Sequence, residues 1–207
     1  SPKPHKVKIM AVTKNLSAAS INSAIHAGIN IIGENKIQET KLKKQKIKKT
    51  KKTELHFIGQ LQSNKVKEAV KLYDVIHTVC REKTLRKINK EAKERNKTQK
   101  ILVQLNISKN TNQNGLDVLK AEEFCKKIYQ YTNIELIGLM AIATNTTNTK
   151  KINSDFQKLY NIYELLNKEP KINLTEISSG MSNDYIYALK NHSTIIRIGT
   201  QLFGERT

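Results

Sequence analysis

Eight short runs of apolar, largely β-branched residues recur along the 207-residue chain, and most are followed by a segment with helical spacing. They are VKIMAV (7–12), NIIG (30–33), LHFIG (55–59), DVIHTV (74–79), KILVQLNI (100–107), IELIGLMAIA (134–143), NLTEIS (173–178) and STIIRIG (193–199). Strands that are apolar on both sides and alternate with helices belong to a parallel sheet covered on both faces. An open doubly wound sheet and a closed barrel both satisfy that pattern. The count of eight favours an α/β fold of the (β/α)8 TIM-barrel kind, although 207 residues is short for one. The chain has three prolines and no Gly/Ser-rich stretch, so residues 1–207 are expected to form one domain.

The intervening segments carry helix signals. Ser17 can cap SAASINSAIHAG, Ile21 and Ile25 share a face, and Gly28 can end that helix. Leu85, Ile88 and Ala92 form one apolar stripe, and Phe124, Cys125 and Ile128 cluster on one side of another helix.

Composition excludes several classes. No run of 18 apolar residues exists, so a membrane span is not expected. SPKPHKVKIM has no apolar signal-peptide core, and its first residue is not Met, which suits a trimmed, cytosolic chain. Cys80 and Cys125 form no CxxC, and no HxxxH or dense carboxylate cluster appears, so neither a disulfide framework nor a metal site is expected. Asp117, Glu122 and Glu123 look like helix N-terminal charges, and the sequon at Asn106 looks like a product of Asn-rich composition. The net charge of +19 normally suggests an anionic partner. Here the lysines are spread over the whole chain. The densest run, KLKKQKIKKTKK (41–52), contains no aromatic residue, so it reads as a solvated helix end and loop, and a nucleic-acid partner is not favoured.

In such a barrel the site forms at the carboxyl ends of the strands. Thr13-Lys14-Asn15 follows the first strand. A lysine aimed into the mouth would lose hydration, which favours the neutral amine that condenses with a carbonyl compound. Gly33-Glu34-Asn35 and Gly59 to Asn64 follow the next two strands and match neither a Walker loop nor a dinucleotide fingerprint. Ser178 to Asp184 (SSGMSND) is expected as a loop after strand seven that runs into a helix start. Arg197-Ile198-Gly199-Thr200 ends strand eight, and loops seven and eight are where barrels frequently hold phosphate. A lysine facing a phosphate cup suggests a phosphorylated aldehyde such as pyridoxal phosphate.

Six ordered segments carry a family resemblance: AVTKN (11–15), GENKIQE (33–39), HFIGQLQSNKVK (56–67), GLMAIA (138–143), SSGMSNDYIYAL (178–189) and STIIRIGTQLFGER (193–206). With them the chain resembles the pyridoxal 5′-phosphate homeostasis proteins, whose fold is similar to the alanine-racemase N-terminal barrel of fold-type III enzymes. The resemblance implies that Lys14 holds the cofactor as a Schiff base. It implies that Ser178, Gly180, Gly199 and Thr200 group around the phosphate, that Arg197 lies near the pyridine nitrogen, and that Asn35 and Met140 line the pocket nearer the ring. Two departures stand out. Asn15-Leu16-Ser17 follows the lysine where relatives usually have a second lysine or a proline-containing tail. The usual helix before the first strand is expected to be lacking, which would leave apolar barrel surface exposed.

A cofactor supplies the electron sink and the protein decides its use. An arginine beside the ring nitrogen keeps it unprotonated and weakens carbanion chemistry. The five histidines (5, 26, 56, 77 and 192) show no motif, and His56, which begins a strand, is expected away from the mouth. The favoured function is therefore a cytoplasmic, monomeric, non-enzymatic binder that stores pyridoxal phosphate or delivers it to apo-enzymes. An amino-acid racemase using Lys14 as its base is the main alternative, and a basic nucleic-acid binder the second.

Overall fold

The computed structural model describes residues 1–110 and 112–205; Arg206, the last residue of the 193–206 motif, lies outside the described residues. The strands are β1 (Lys8–Val12), β2 (Ile31–Glu34), β3 (Glu54–Phe57), β4 (Val75–Val79), β5 (Gln99–Asn106), β6 (Leu116–Asp117), β7 (Ile134–Ala141), β8 (Glu176–Met181) and β9 (Ile195–Ile198). The α-helices are α1 (Ala18–His26), α2 (Ile37–Lys44), α3 (Val66–Leu72), α4 (Glu82–Lys93), α5 (Ala121–Ile128), α6 (Thr149–Leu166), α7 (Tyr185–Lys190) and α8 (Thr200–Phe203).

All strand pairings are parallel, and β1 pairs with both β2 and β9. β4 pairs with β5, which closes β1-β2-β3-β4-β5-β7-β8-β9 into an eight-stranded barrel. The two-residue β6 adds beside β5, outside the ring. The eight expected runs are thus the eight barrel strands, and the closed parallel barrel is the fold.

Most of the core lies between the barrel and its helices. Ser17 accepts a hydrogen bond from Ser20 N–H and caps α1, whose Ile21 and Ile25 are buried. Leu85, Ile88 and Ala92 of α4 and Phe124, Cys125 and Ile128 of α5 are buried on the expected faces. Each full burial of a Leu or Ile side chain there stabilises by about 1.5–3 kcal/mol. Inside the barrel, Met10, Ile31 and Ile195 form one apolar group and Val75, Leu102 and Met140 another. Only a 3-10 turn, Pro4–Lys6, precedes β1 among the described residues, and Ile9 of β1 is 47% exposed. No described helix is long and apolar enough to cross a membrane.

The seventh barrel strand departs from its sequence limits. Residues 173–178 were expected as the strand, but β8 starts at Glu176 and continues to Met181. The backbone of Leu174 is captured by α6: its N–H donates to Asn167 Oδ1 at 2.7 Å, and its carbonyl accepts from the Tyr163 hydroxyl at 2.6 Å. At the other end Ser178 to Met181 joins the ladder, with Met140 opposite Ser178 and Arg197 opposite Met181. Ladder pairing overrides the weak strand preference of Ser-Ser-Gly.

The β7–β8 contact leaves no space at Gly138. A Cβ there would lie 2.0 Å from the Glu176 backbone oxygen. Gly138→Ala is therefore expected to destabilise by about 1–3 kcal/mol or more, seen as a lowered denaturant midpoint. An unchanged midpoint would mean the strands can separate without cost.

Candidate functional site

A cleft of about 430 Å³ opens at the carboxyl ends of the barrel strands. Lys14, Asn35, Met140, Arg197, Gly199 and Thr200 line it, while Ser178 and Gly180 do not. Both of the latter belong to β8 rather than to a loop. Ser178 is fully buried inside the barrel beneath Arg197. Gly180 has φ 88°, and a Cβ on it would come within 2.6 Å of the Ala188 Cβ. Its role in the structure is to let α7 pack directly on β8.

The turn bearing Lys14 is held from below. Asn15 takes a left-handed φ of 61°, and its N–H donates to Glu39 Oε1 at 2.7 Å. Lys43 of α2 reaches under the turn and donates to the carbonyls of Thr13 (3.1 Å) and Leu16 (3.2 Å). The same ammonium lies 2.7 Å from Glu34 Oε1 and 2.8 Å from Glu39 Oε1, and the Thr13 hydroxyl donates to Glu34. Glu34 is fully buried and Lys43 nearly so. Burial pushes the Glu34 carboxyl above its ordinary range, and the bonds from Lys43 and Thr13 offset only part of that. Lys43 sits in the run that reads as solvated lysine. Its i,i+4 spacing from Glu39 is visible in the sequence, but its grip on the Lys14 turn is not. Lys14 itself is exposed at the mouth, so the desolvation expected of it is not provided.

Around the rim, Asn35 presents a buried side-chain oxygen, Oδ1, that has no hydrogen-bond partner among the described residues. The wall opposite is the β7–α6 loop, which the sequence reading missed. Asp155 Oδ2 accepts from the Thr144 N–H at 2.8 Å and hydroxyl at 2.6 Å, and its other oxygen lies 2.5 Å from Lys151 Nζ. Next to Thr200, Gln201 Nε2 donates to the Ser182 carbonyl at 3.1 Å and ties the last two loops together. Asp184 Oδ1 accepts from Met181 N–H at 2.5 Å.

Arg197 is the charged group beneath the cleft. It is 4% exposed, donates Nη1–H to the Ser178 carbonyl (2.7 Å) and hydroxyl (3.0 Å), and donates Nη2–H to the Ala141 carbonyl (3.0 Å). No carboxylate forms an ion pair with it among the described residues. Burial pulls the guanidinium down to about 10, with Asp184 opposing, so it stays protonated at neutral pH. His56 and His77, which show no motif in the sequence, are buried together in the barrel with ring centroids 4.9 Å apart. Among the described residues no three His, Cys, Asp or Glu side chains form a group that could hold a metal.

Residues 2–207 match the family described as "Alanine racemase, N-terminal domain". The pyridoxal phosphate homeostasis protein of Aquifex aeolicus is 34% identical over 203 residues, spanning 96% of this chain and 87% of the relative. PipY of Synechococcus elongatus, solved without PLP, superposes with a TM-score of 0.91 at 33% identity, covering 97% of this chain and 94% of that one. PipY solved with PLP bound gives 0.89 at 32% identity with the same coverage.

The Asp155 contacts generate a pH prediction. Burial pushes its carboxyl up, but bonds from Lys151 and from the Thr144 hydroxyl and amide outweigh that and leave it below the ordinary aspartate range. A depressed carboxyl stabilises the fold at pH above its unfolded value, near 3.9, and that contribution is lost as pH falls through the lower folded value. Asp155→Asn should lose about 1–3 kcal/mol at neutral pH and show a flatter acid limb in urea titrations below about pH 4. Identical acid limbs would remove Asp155 from this role.

Proposed function

The chain belongs to the pyridoxal phosphate homeostasis protein family, within the alanine racemase N-terminal domain family, and from that premise we propose that it binds pyridoxal 5′-phosphate in the cleft. In this reading Lys14 holds the cofactor as a Schiff base, and the protein serves intracellular storage and delivery without robust turnover. The observation that carries it is the sharing of one cleft by an exposed primary amine, Lys14, and a buried guanidinium, Arg197, that forms no ion pair with a carboxylate among the described residues. The residues suit the group in other respects. The cleft volume is in the range of small-ligand sites, and Asn35 Oδ1 is an acceptor in want of a donor.

When bound, pyridoxal phosphate supplies an aldehyde that a primary amine captures with loss of one water. Lys14 is placed to be that amine by the Lys43–Glu39 clamp under its turn. Gly199 and Thr200, with Ser182 of the facing loop, are assigned to the phosphate, a position barrels of this kind often use. Ser178 and Gly180 act behind that surface, the first on Arg197 and the second on α7. Met140 contributes apolar wall. Arg197, assigned to the ring nitrogen, opposes a second positive charge there and so restrains carbanion chemistry.

Carriage is favoured over racemisation by the cleft's own inventory. Among the described residues lining it, Lys14, Asp184 and Arg197 are titratable, and one Asp184 oxygen, Oδ1, already accepts from the Met181 N–H. No Tyr, His or Cys stands ready as a second base there. We place the protein in the cytoplasm, as a monomer and single domain, with apo-enzymes as recipients.

Protein mixed with pyridoxal phosphate should turn yellow, and borohydride should fix the cofactor on the peptide containing Lys14, by mass spectrometry. Lys14→Ala should lose the imine absorbance; retention of the same band would place the linkage elsewhere. Thr200→Ala should weaken binding by about 1.5–3 kcal/mol, the worth of a hydrogen bond to a charged group. Robust racemisation across a panel of amino acids would replace the carrier reading with the enzymatic one.

A further inference from the structure

A chain of polar side chains crosses the interior of the barrel, where folds of this kind ordinarily pack branched aliphatic residues. Arg197 Nη1–H donates to Ser178 Oγ at 3.0 Å, and that hydroxyl lies 3.1 Å from His77 Nδ1. His77 Nε2 lies 2.8 Å from His56 Nδ1, and His56 Nε2 lies 3.1 Å from Glu54 Oε2. Arg197, Ser178, His77 and His56 are each at most 4% exposed, whereas the Glu54 side chain is 42% exposed. Glu54 is the first residue of β3, so it stands at the end of the barrel opposite the cleft.

Hydrogen-bonding capacity orients this chain. A guanidinium only donates and a carboxylate only accepts, so both ends are set. With one hydrogen on each imidazole, His56 donates Nε2–H to Glu54 and accepts at Nδ1 from His77 Nε2–H. His77 then accepts at Nδ1 from the Ser178 hydroxyl, whose oxygen accepts from Arg197. Every group is satisfied, and every donor points from the cleft toward the far rim. The reverse order would put a second buried cation, doubly protonated His56, in the same interior as Arg197. It would also direct two donors at Ser178 and leave the serine hydrogen unplaced. Burial, with the Arg197 charge nearby, holds His77 well below the ordinary histidine value, in keeping with its neutral form.

We propose that His77 and His56 are positioning residues for Arg197: anchored on Glu54, they fix the Ser178 hydroxyl as an acceptor and so lock the guanidinium in one orientation under the cleft. Glu54, at the opposite end of the barrel, thereby helps set how the cleft holds its ligand. The proposal deepens the reading of the preceding subsection and, for its ligand readout, rests on it. A residue that only filled space would not couple Glu54 to the ligand through Ser178.

Two measurements test it, one of them independent of any ligand. In ¹⁵N spectra of the ligand-free protein, His77 should be neutral with hydrogen on Nε2, and Glu54→Gln should convert it to a mixture of tautomers. Hydrogen on Nδ1 in the native protein would overturn the proposal whatever the protein binds. In titrations with pyridoxal phosphate, Glu54→Gln should raise Kd about three- to tenfold in the native background and leave it nearly unchanged in a Ser178→Ala background, because residues in one hydrogen-bond network are non-additive. Equal effects in both backgrounds would overturn it. If native protein binds no pyridoxal phosphate while the tautomer is as assigned, the ligand reading fails and the positioning of Arg197 stands.

Discussion

Pairing of β4 with β5 completes a ring in which each of the eight barrel strands has two neighbours. Backbone donors and acceptors along the ladders are then met within the ring, and the barrel keeps no open edge. An eight-stranded ring is only wide enough to be filled by side chains. Because the strands are all parallel, their carboxyl ends gather on one face, and the cleft forms there. Any polar group in the interior must find its partners among the strands themselves, since bulk water does not reach it.

Two buried cations, Lys43 on α2 outside the ring and Arg197 within it, find their partners differently. Lys43 lies against the Glu34 carboxylate and donates to Glu39 and to two backbone carbonyls of the Lys14 turn. Its charge is cancelled where it stands, and what it contributes is the shape of a loop. Arg197 is met by two carbonyls and a hydroxyl, which solvate it without cancelling its charge. A guanidinium left positive beneath a cleft is a resource for a ligand, and although burial lowers its pKa to about 10 it stays charged at neutral pH. The strand that carries Ser178 also carries Gly180, so one short segment supports Arg197 on one side and the packing of α7 on the other.

The barrel was readable because its signal is local and repeated. Most of the apolar runs report burial on both faces, and eight of them alternating with helices leave few topologies open. Where the reading slipped, a contact distant in sequence was responsible. Leu174 looks like strand, yet Asn167 and Tyr163 occupy its backbone, so β8 begins after it. Ser178 to Met181 looks like loop, yet β7 and β9 draw it into the sheet. The short β6 and α8 were not anticipated, being two and four residues long.

From the sequence by itself came the strand count, the helix faces, and the strand ends at which Lys14, Asn35, Arg197, Gly199 and Thr200 stand, because periodicity and turn chemistry depend on near neighbours along the chain. Only the tertiary structure decided that Ser178 lies beneath the cleft instead of on its wall, that Lys43 is a clamp and not a solvated lysine, and that two histidines without a motif touch inside the barrel. Those are questions of how buried polar groups are paired. The partners of Lys43 in the Lys14 turn are up to 30 residues away, and His77 and Ser178 are separated by 101. No local pattern carries such pairings; closing the ring creates them.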